Sequence, residues 1–225
     1  MKVIEKFVEK YFKGYISLME DEYFIIKSET KCEGKFYKSF SYPSNLYKDI
    51  ELKEEIKEEL YIQVGNSAQS CNNHLEIFQK LKPYKNRKIK IFCILSYGDE
   101  GDKKNIILKG NEIFGEKFIP IVNFMNLEDY IEFLSKIDIA IFAHNMQKGF
   151  GNITSLIGMK KTVYLKQEVP TYKELSNLGI KVKSFNKFEN LEKLDNDILE
   201  KNQQIMKERF SKKKLKEEWK VIFDD

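Results

Sequence analysis

From Leu60 onward the chain alternates short apolar runs with longer amphipathic stretches, and this rhythm restricts the possible folds more than any other feature. Short, continuous apolar runs bounded by turn residues read as strands, and apolar residues recurring three and four apart read as helices. The pattern predicts strands over 60–64, 88–95, 118–122, 137–142, 162–165 and 180–183. Helices are predicted between them, over 73–81, 103–114, 127–135, 151–159 and 172–178. Successive βα units imply a parallel sheet, because a strand can return beside its predecessor in the same direction only through a crossover that packs on a sheet face. The fold class expected is therefore α/β, a Rossmann-like parallel sheet with helices on both faces.

The front of the chain is less regular. Val3, Ile4, Phe7, Val8, Tyr11 and Phe12 recur at helical spacing, which predicts an amphipathic helix over 2–13 closed by Gly14. Residues 15–18 read as a strand, 20–28 are ambiguous between helix and strand, and 36–42 read as a strand stopped at Pro43. The charged stretch 51–59, with Pro43 and Asn45 before it, reads as a solvated connector or exposed helix. The domains expected are thus 1–43, a linker over 44–59, the Rossmann-like domain over 60–195, and C-terminal helices over 196–225. In that tail Met206 and Phe210, and Leu215 and Trp219, sit four apart on an otherwise basic surface.

Charge excludes some functions. Lys and Arg number 39 against 35 Asp and Glu, so the chain is mixed rather than polarised and a nucleic-acid partner is not expected. Apolar runs end well short of a membrane span and no signal-peptide core is present, which makes the cytoplasm the expected compartment. Cys32, Cys71 and Cys93 are odd in number and lack Cys-x-x-Cys spacing, so free thiols are expected rather than disulfides or a zinc site. Asp195-Asn196-Asp197 has metal-ligand spacing, but it lies where a helix should begin and reads better as a cap. No metal and no cofactor are expected. The first strand carries neither a Walker loop nor Gly-x-Gly-x-x-Gly, which weighs against kinases and dehydrogenases.

In an open parallel sheet, ligands bind outside the carboxyl ends of the strands, so the loops that follow strands are where function is sought. Three stand out: Gly65 to His74, rich in Asn and Ser; Ser96 to Gly101; and His144 to Asn152. Gly149 and Gly151 precede a predicted helix whose first amides can meet a phosphate, although such glycines also serve merely to turn the chain. A second loop of the same kind favours the anion site. Hydroxyl, amide and glycine positions without clustered carboxylates suit a diphosphate met by backbone amides and helix dipoles, with Lys148 adding a cation. His74 and His144, the chain's two histidines, both fall in these loops, either as catalytic groups or as structural hydrogen-bonders.

Ile62 to Ala68 followed by Asn72-Asn73-His74, then Leu95 to Gly98, Gly115 to Phe118, and Gln147 through Ile153, resemble the TDP-N-acetylfucosamine:lipid II N-acetylfucosaminyltransferase family over about residues 15–182. These are GT-B glycosyltransferases. The resemblance implies transfer of 4-acetamido-4,6-dideoxygalactose from a TDP-sugar to a polyprenyl-diphosphate-linked saccharide, without a dissociable metal, at the inner face of the membrane. It places the donor diphosphate on Gly65, Asn66, Ser67, Gln147, Lys148, Gly149, Phe150, Gly151 and Asn152, and the donor pocket at Ser96, Tyr97, Gly98 and Asn73. Met146 stands where the family often has arginine. Residues 1–43 resemble only the end of a GT-B N-terminal domain, so the apolar face over 3–12 is expected to meet another chain or a second copy. The GT-B pattern gives Trp219 and Phe223 a packing role in the tail, and peripheral membrane contact is the competing expectation.

Overall fold

The computed structural model of the chain describes residues 11–30, 33–40, 42–50 and 57–224. These partition into two units, Met1–Tyr47 with Met206–Asp225, and Lys48–Ile205. The expected helix over 2–13 and its self-association face lie outside the described residues except for 11–13, which are not helical.

In the first unit β1 (Gly14–Ser17) and β2 (Lys35–Lys38) pair in parallel, Gly14 opposite Lys35, with α1 (Glu20–Thr30) as the crossover. The ambiguous stretch is thus a helix. Glu20, Asp21 and Glu22 fill its first turn, where the helix dipole favours negative charge, and the Glu22 carboxylate accepts from Ser17 Oγ at 2.6 Å. Tyr23 fastens α1 to the strands through a ring stack on Phe36 at 5.2 Å and a hydrogen bond from its hydroxyl to the Gly34 carbonyl at 2.8 Å. The strand expected to reach Tyr42 ends at Lys38, because β1 offers its partner a ladder only as far as Ser17. A 3-10 turn over Pro43–Asn45 follows.

The second unit runs β3 (Leu60–Val64), α2 (His74–Leu81), β4 (Ile89–Ile94), α3 (Glu100–Phe114), β5 (Phe118–Ile121), α4 (Leu127–Lys136), β6 (Ile139–Phe142), α5 (Phe150–Gly158), β7 (Thr162–Leu165), α6 (Pro170–Asn177), β8 (Lys183–Ser184) and α7 (Asn196–Arg209). From Met206 the residues of α7 group with the first unit, together with α8 (Lys212–Phe223). All six strands are parallel in the order β5-β4-β3-β6-β7-β8. The expected Rossmann-like sheet is present. Ile62, Val64, Ile89, Ile91, Cys93, Ile139 and Ile141, which share one face of the sheet, have no exposed surface; on the opposite face Gln63, Ala140 and Phe142 are buried and Lys90 and Phe92 half-buried.

Some boundaries differ from expectation. Helix α3 begins at Glu100 rather than 103, because Asp99 caps it by accepting the Asp102 amide at 2.8 Å. Strand β8 holds two residues, since β7 pairs with it only at Lys183 and Ser184. Helix α7 starts at Asn196, where the sequence places it, and the Asp195 carbonyl accepts from the Ile198 and Leu199 amides at 3.0 Å. Among the described residues no three His, Cys, Asp or Glu side chains converge as a metal cluster, Cys71 and Cys93 are free thiols, and no helix is long and apolar enough to cross a membrane.

The strand order decides where ligands can go. The chain proceeds outward from β3 to β4 and β5, then crosses back to lay β6 against the other side of β3. The loops leaving β3 and β6 therefore depart in opposite directions and open a crevice at the sheet's carboxyl edge.

Candidate active site

Loops 65–73 and 143–149 leave neighbouring strands, the Gly65 amide donating to the Ile141 carbonyl at 3.1 Å where they part. Gly65 turns with φ +62°, and a Cβ there would lie 2.7 Å from His74 Nε2. A glycine is required on both counts. Beyond it Asn72, fully buried, organises the loop: its Oδ1 accepts from the Asn66 amide at 3.1 Å, and its Nδ2 donates to Ser67 Oγ at 3.1 Å and the Gln69 carbonyl at 3.3 Å.

The same Asn72 reaches the other loop. His144 Nε2 lies 2.9 Å from Asn72 Oδ1 and 3.2 Å from Asn66 Oδ1, and because both facing atoms are amide oxygens this nitrogen carries the hydrogen. Gly149, in the left-handed region at φ +64°, passes so close that a Cβ would sit 3.0 Å from Asn66 Nδ2 and 3.3 Å from His144 Cε1. Residues 65–67 and 149–152 thus lie side by side. Two further struts join the loops: Asn73 Nδ2 donates to the Ala143 carbonyl at 2.6 Å and to Asn145 Oδ1 at 2.9 Å, and Lys148 Nζ donates to Gln69 Oε1 with Cys71 Sγ 3.4 Å away.

The β4 loop completes the rim. The Ala68 amide donates to the Tyr97 carbonyl and the Asp99 amide to the Ala68 carbonyl, both at 2.7 Å. At Gly98, φ is +126° and a Cβ would stand 2.3 Å from the Ala68 oxygen, so the two backbones touch only because this residue has no side chain.

Helix α5 starts at this rim with Gly149 in the capping position and no side chain closing its first turn. Its first intrahelical bond is from the Ile153 amide to the Gly149 carbonyl at 3.0 Å, so the Gly151 and Asn152 amides precede the ladder and present positive helix-end charge. Beside them lies a groove of about 260 Å³, whose walls include Asn66, Ser96, Tyr97, Phe124, Tyr130 and Asn152. Its lining holds no His, Asp, Glu, Lys or Arg. Partial burial raises the pKa of the Tyr97 hydroxyl, and deeper burial raises that of Tyr130 well above the ordinary phenol, so both enter as neutral donors.

The expected site residues therefore fall into distinct places. Asn66, Ser96, Tyr97 and Asn152 line the groove, and Gly65, Ser67, Gly98, Gly149 and Gly151 shape the backbone around it. Phe150 is buried and Gln147 half-buried at the loop's end. Asn73, expected in the donor pocket, turns away with its left-handed backbone (φ 52°) and serves as a strut. Lys148, expected to meet the phosphates, is engaged by Gln69. His74 and His144, each 3% exposed, lie under the loops and outside the groove wall. Asn72 is legible in the Asn72-Asn73-His74 run, but its role as hub is not, and no motif marks Phe124 or, within the helix expected over 127–135, Leu127 and Tyr130 as groove residues.

Burial lowers the pKa of both histidines from 6.5 to about 4, His144 adding to the effect on His74. Unfolded histidines take up protons as pH falls through 6.5, whereas these do not until about 4. Their contribution to stability is therefore whole above pH 6.5 and is lost progressively down to about 4, each group accounting for at most on the order of 3 kcal/mol. Urea unfolding followed from pH 7.5 to 4.5 is expected to show this loss, with a shallower slope in His74→Gln/His144→Gln. An identical slope in the two proteins contradicts the assignment.

Comparison with known proteins agrees with this architecture. A family model described as "4-alpha-L-fucosyltransferase glycosyl transferase group 56" matches residues 16–219. Among curated proteins none matches the chain. The fold is similar to a glycosyltransferase from Rickettsia africae ESF-5 (TM-score 0.67, 14% identity, 96% of this chain and 65% of that one). It is also similar to TarM (TM-score 0.66, 14% identity, 98% and 46%) and to WaaG, a glycosyltransferase involved in lipopolysaccharide biosynthesis (TM-score 0.54, 11% identity, 89% and 54%). The chain spans about half to two-thirds of the length of these three structures. The match over residues 16–219 establishes that the chain belongs to the 4-alpha-L-fucosyltransferase family, glycosyl transferase group 56.

Proposed function

We propose that the chain binds the nucleotide-sugar donor of a glycosyltransferase and moves 4-acetamido-4,6-dideoxygalactose from a TDP-sugar to a polyprenyl-diphosphate-linked saccharide in surface polysaccharide synthesis at the inner face of the membrane. The observation that carries this is the convergence of loops 65–67 and 147–152 at the point where the sheet reverses direction. The diphosphate sits against the amides of Gly151 and Asn152 and the Asn66 side chain, and the nucleoside enters the groove between Tyr97, Phe124 and Tyr130. In the transfer an acceptor oxygen attacks the anomeric carbon, the bond from that carbon to the β-phosphate oxygen breaks, and the acceptor proton passes to a base. Charge grows on the departing TDP. Fixed amide donors stabilise that growing charge more than the ground state, and thereby lower the barrier.

A second reading, a module that binds nucleotide-sugar without turnover, is favoured by one feature. The groove offers no carboxylate or imidazole to act as the base, and both histidines are under the loops. Turnover decides between them. The purified chain, alone or with a candidate partner chain, is incubated with TDP-4-acetamido-4,6-dideoxygalactose and a polyprenyl-diphosphate acceptor, and TDP release is measured. Release that depends on acceptor supports transfer, whereas tight donor binding without release under either condition supports the module.

A further inference from the structure

Helix α8 carries a feature that donor binding does not use. Its inner side is fixed: Leu215 is buried, and the Glu218 carboxylate accepts from the Phe40 amide at 3.1 Å and pairs with Arg209. At 100° per residue, this sets Lys212, Lys213, Lys216, Lys220 and Phe223 on the outward side, and all five are exposed. Among the described residues none of the four lysines is in an ion pair. Two acids flank that side: Glu217, paired with Lys214 at 3.5 Å, and Asp224, exposed where the helix ends.

At the end of this basic stripe Phe223, 78% exposed, stacks on Trp219 with ring centroids 5.4 Å apart and planes at 24°. The packing role expected for these two rings holds only in part, since Trp219 is half-buried and Phe223 projects. A solvated helix end has no use for an exposed phenylalanine stacked on a half-buried tryptophan beside four lysines outside any ion pair. The combination is what an interfacial helix shows, with ammonium groups at headgroup phosphates and aromatic rings at the level of the headgroups.

We propose that the outward face of α8 docks on an anionic lipid surface, Lys212, Lys213, Lys216 and Lys220 meeting phosphates and the Trp219–Phe223 pair entering the headgroup layer. A planar surface engages all four ammonium groups at once, because they span little more than two helical turns. Single-stranded nucleic acid is the weaker fit. Its bases bind by stacking on open aromatic faces, and here the two rings have closed on each other. The proposal does not depend on the identity of the donor.

The chain has a single tryptophan, so Trp219 fluorescence reports the contact directly. The full chain is titrated with phosphatidylcholine vesicles with and without 30% phosphatidylglycerol, a fraction of the lipid being brominated. The expected result is Trp219 quenching with the anionic vesicles alone, relieved by high salt. Binding is expected to fall at least tenfold in Lys216→Glu/Lys220→Glu and several-fold in Phe223→Ser, an exposed site where the fold is not at risk. The proposal is overturned by absence of quenching, by binding that both variants leave unchanged, or by a Trp219 response to poly(U) and none to vesicles.

Discussion

Gly151→Asp is expected to remove nucleoside diphosphate binding while leaving the protein folded. Gly151 lies in the first turn of α5, where an acidic side chain is favourable to the helix itself, so the substitution does not attack the fold. Its carboxylate would stand instead where the proposed site holds the phosphates. A unit negative charge about 6 Å from each of two phosphate charges costs several kcal/mol at an effective dielectric of about 20, and the affinity should fall at least 100-fold. Calorimetric titration with TDP checks the loss, and an unfolding curve without ligand checks the fold. Retained affinity would mean that the first turn of α5 does not face the diphosphate.

Asn72→Leu is expected to be the most damaging single change in the candidate site. The side chain is fully buried and serves four partners in both loops, namely the Asn66 amide, Ser67, Gln69 and His144. Leucine keeps its branched shape, is somewhat larger, and satisfies none of them. The buried Asn66 amide loses its acceptor, at a cost of about 1–3 kcal/mol, and His144 loses its shorter contact and keeps only Asn66 Oδ1 at 3.2 Å. The unfolding temperature should drop by roughly 5–15 °C for a chain of this size, with TDP affinity falling alongside it. Asn72→Asp separates the two parts of this role, since it keeps the acceptors, loses the donors to Ser67 and Gln69, and places a negative charge beside His144. That charge should raise the histidine pKa and flatten the acid loss of stability. A leucine variant as stable as the parent would show that the network is incidental to the loops.

The periodicity of the chain carried the fold further than it carried the site. A buried strand is rich in apolar residues, so β3, β4 and β6 are visible as runs despite Gln63 and Lys90, and the helices between them as periodic stretches. Ends that depend on a single side chain were less visible. Asp99 looks like part of a glycine-containing loop until its carboxylate is seen to hold the Asp102 amide. The loop glycines were visible as residue types, but what each one admits was not: His74 under Gly65, the Ala68 carbonyl against Gly98, and Asn66 with His144 behind Gly149. The last of these arises because β6 returns beside β3 and brings Gly149 to Asn66, more than seventy positions away, and no local pattern encodes that neighbour. For the same reason Lys148 reads as a free cation, although the fold sets it against Gln69, and His144 stays open between catalytic group and structural hydrogen-bonder until the fold buries it as the link between two loops.

The most direct test of a diphosphate held between these loops is thermal unfolding with thymidine, TMP and TDP at equal concentration, in the parent chain and in Gly151→Asp. At a hundred times its dissociation constant a ligand adds about 2.7 kcal/mol, roughly 5–11 °C for a chain of this size. TDP should give a shift of this order in the parent, TMP much less and thymidine almost none, and all three should leave Gly151→Asp where it was. A shift from thymidine equal to that from TDP, or a TDP shift that survives the substitution, would contradict the account.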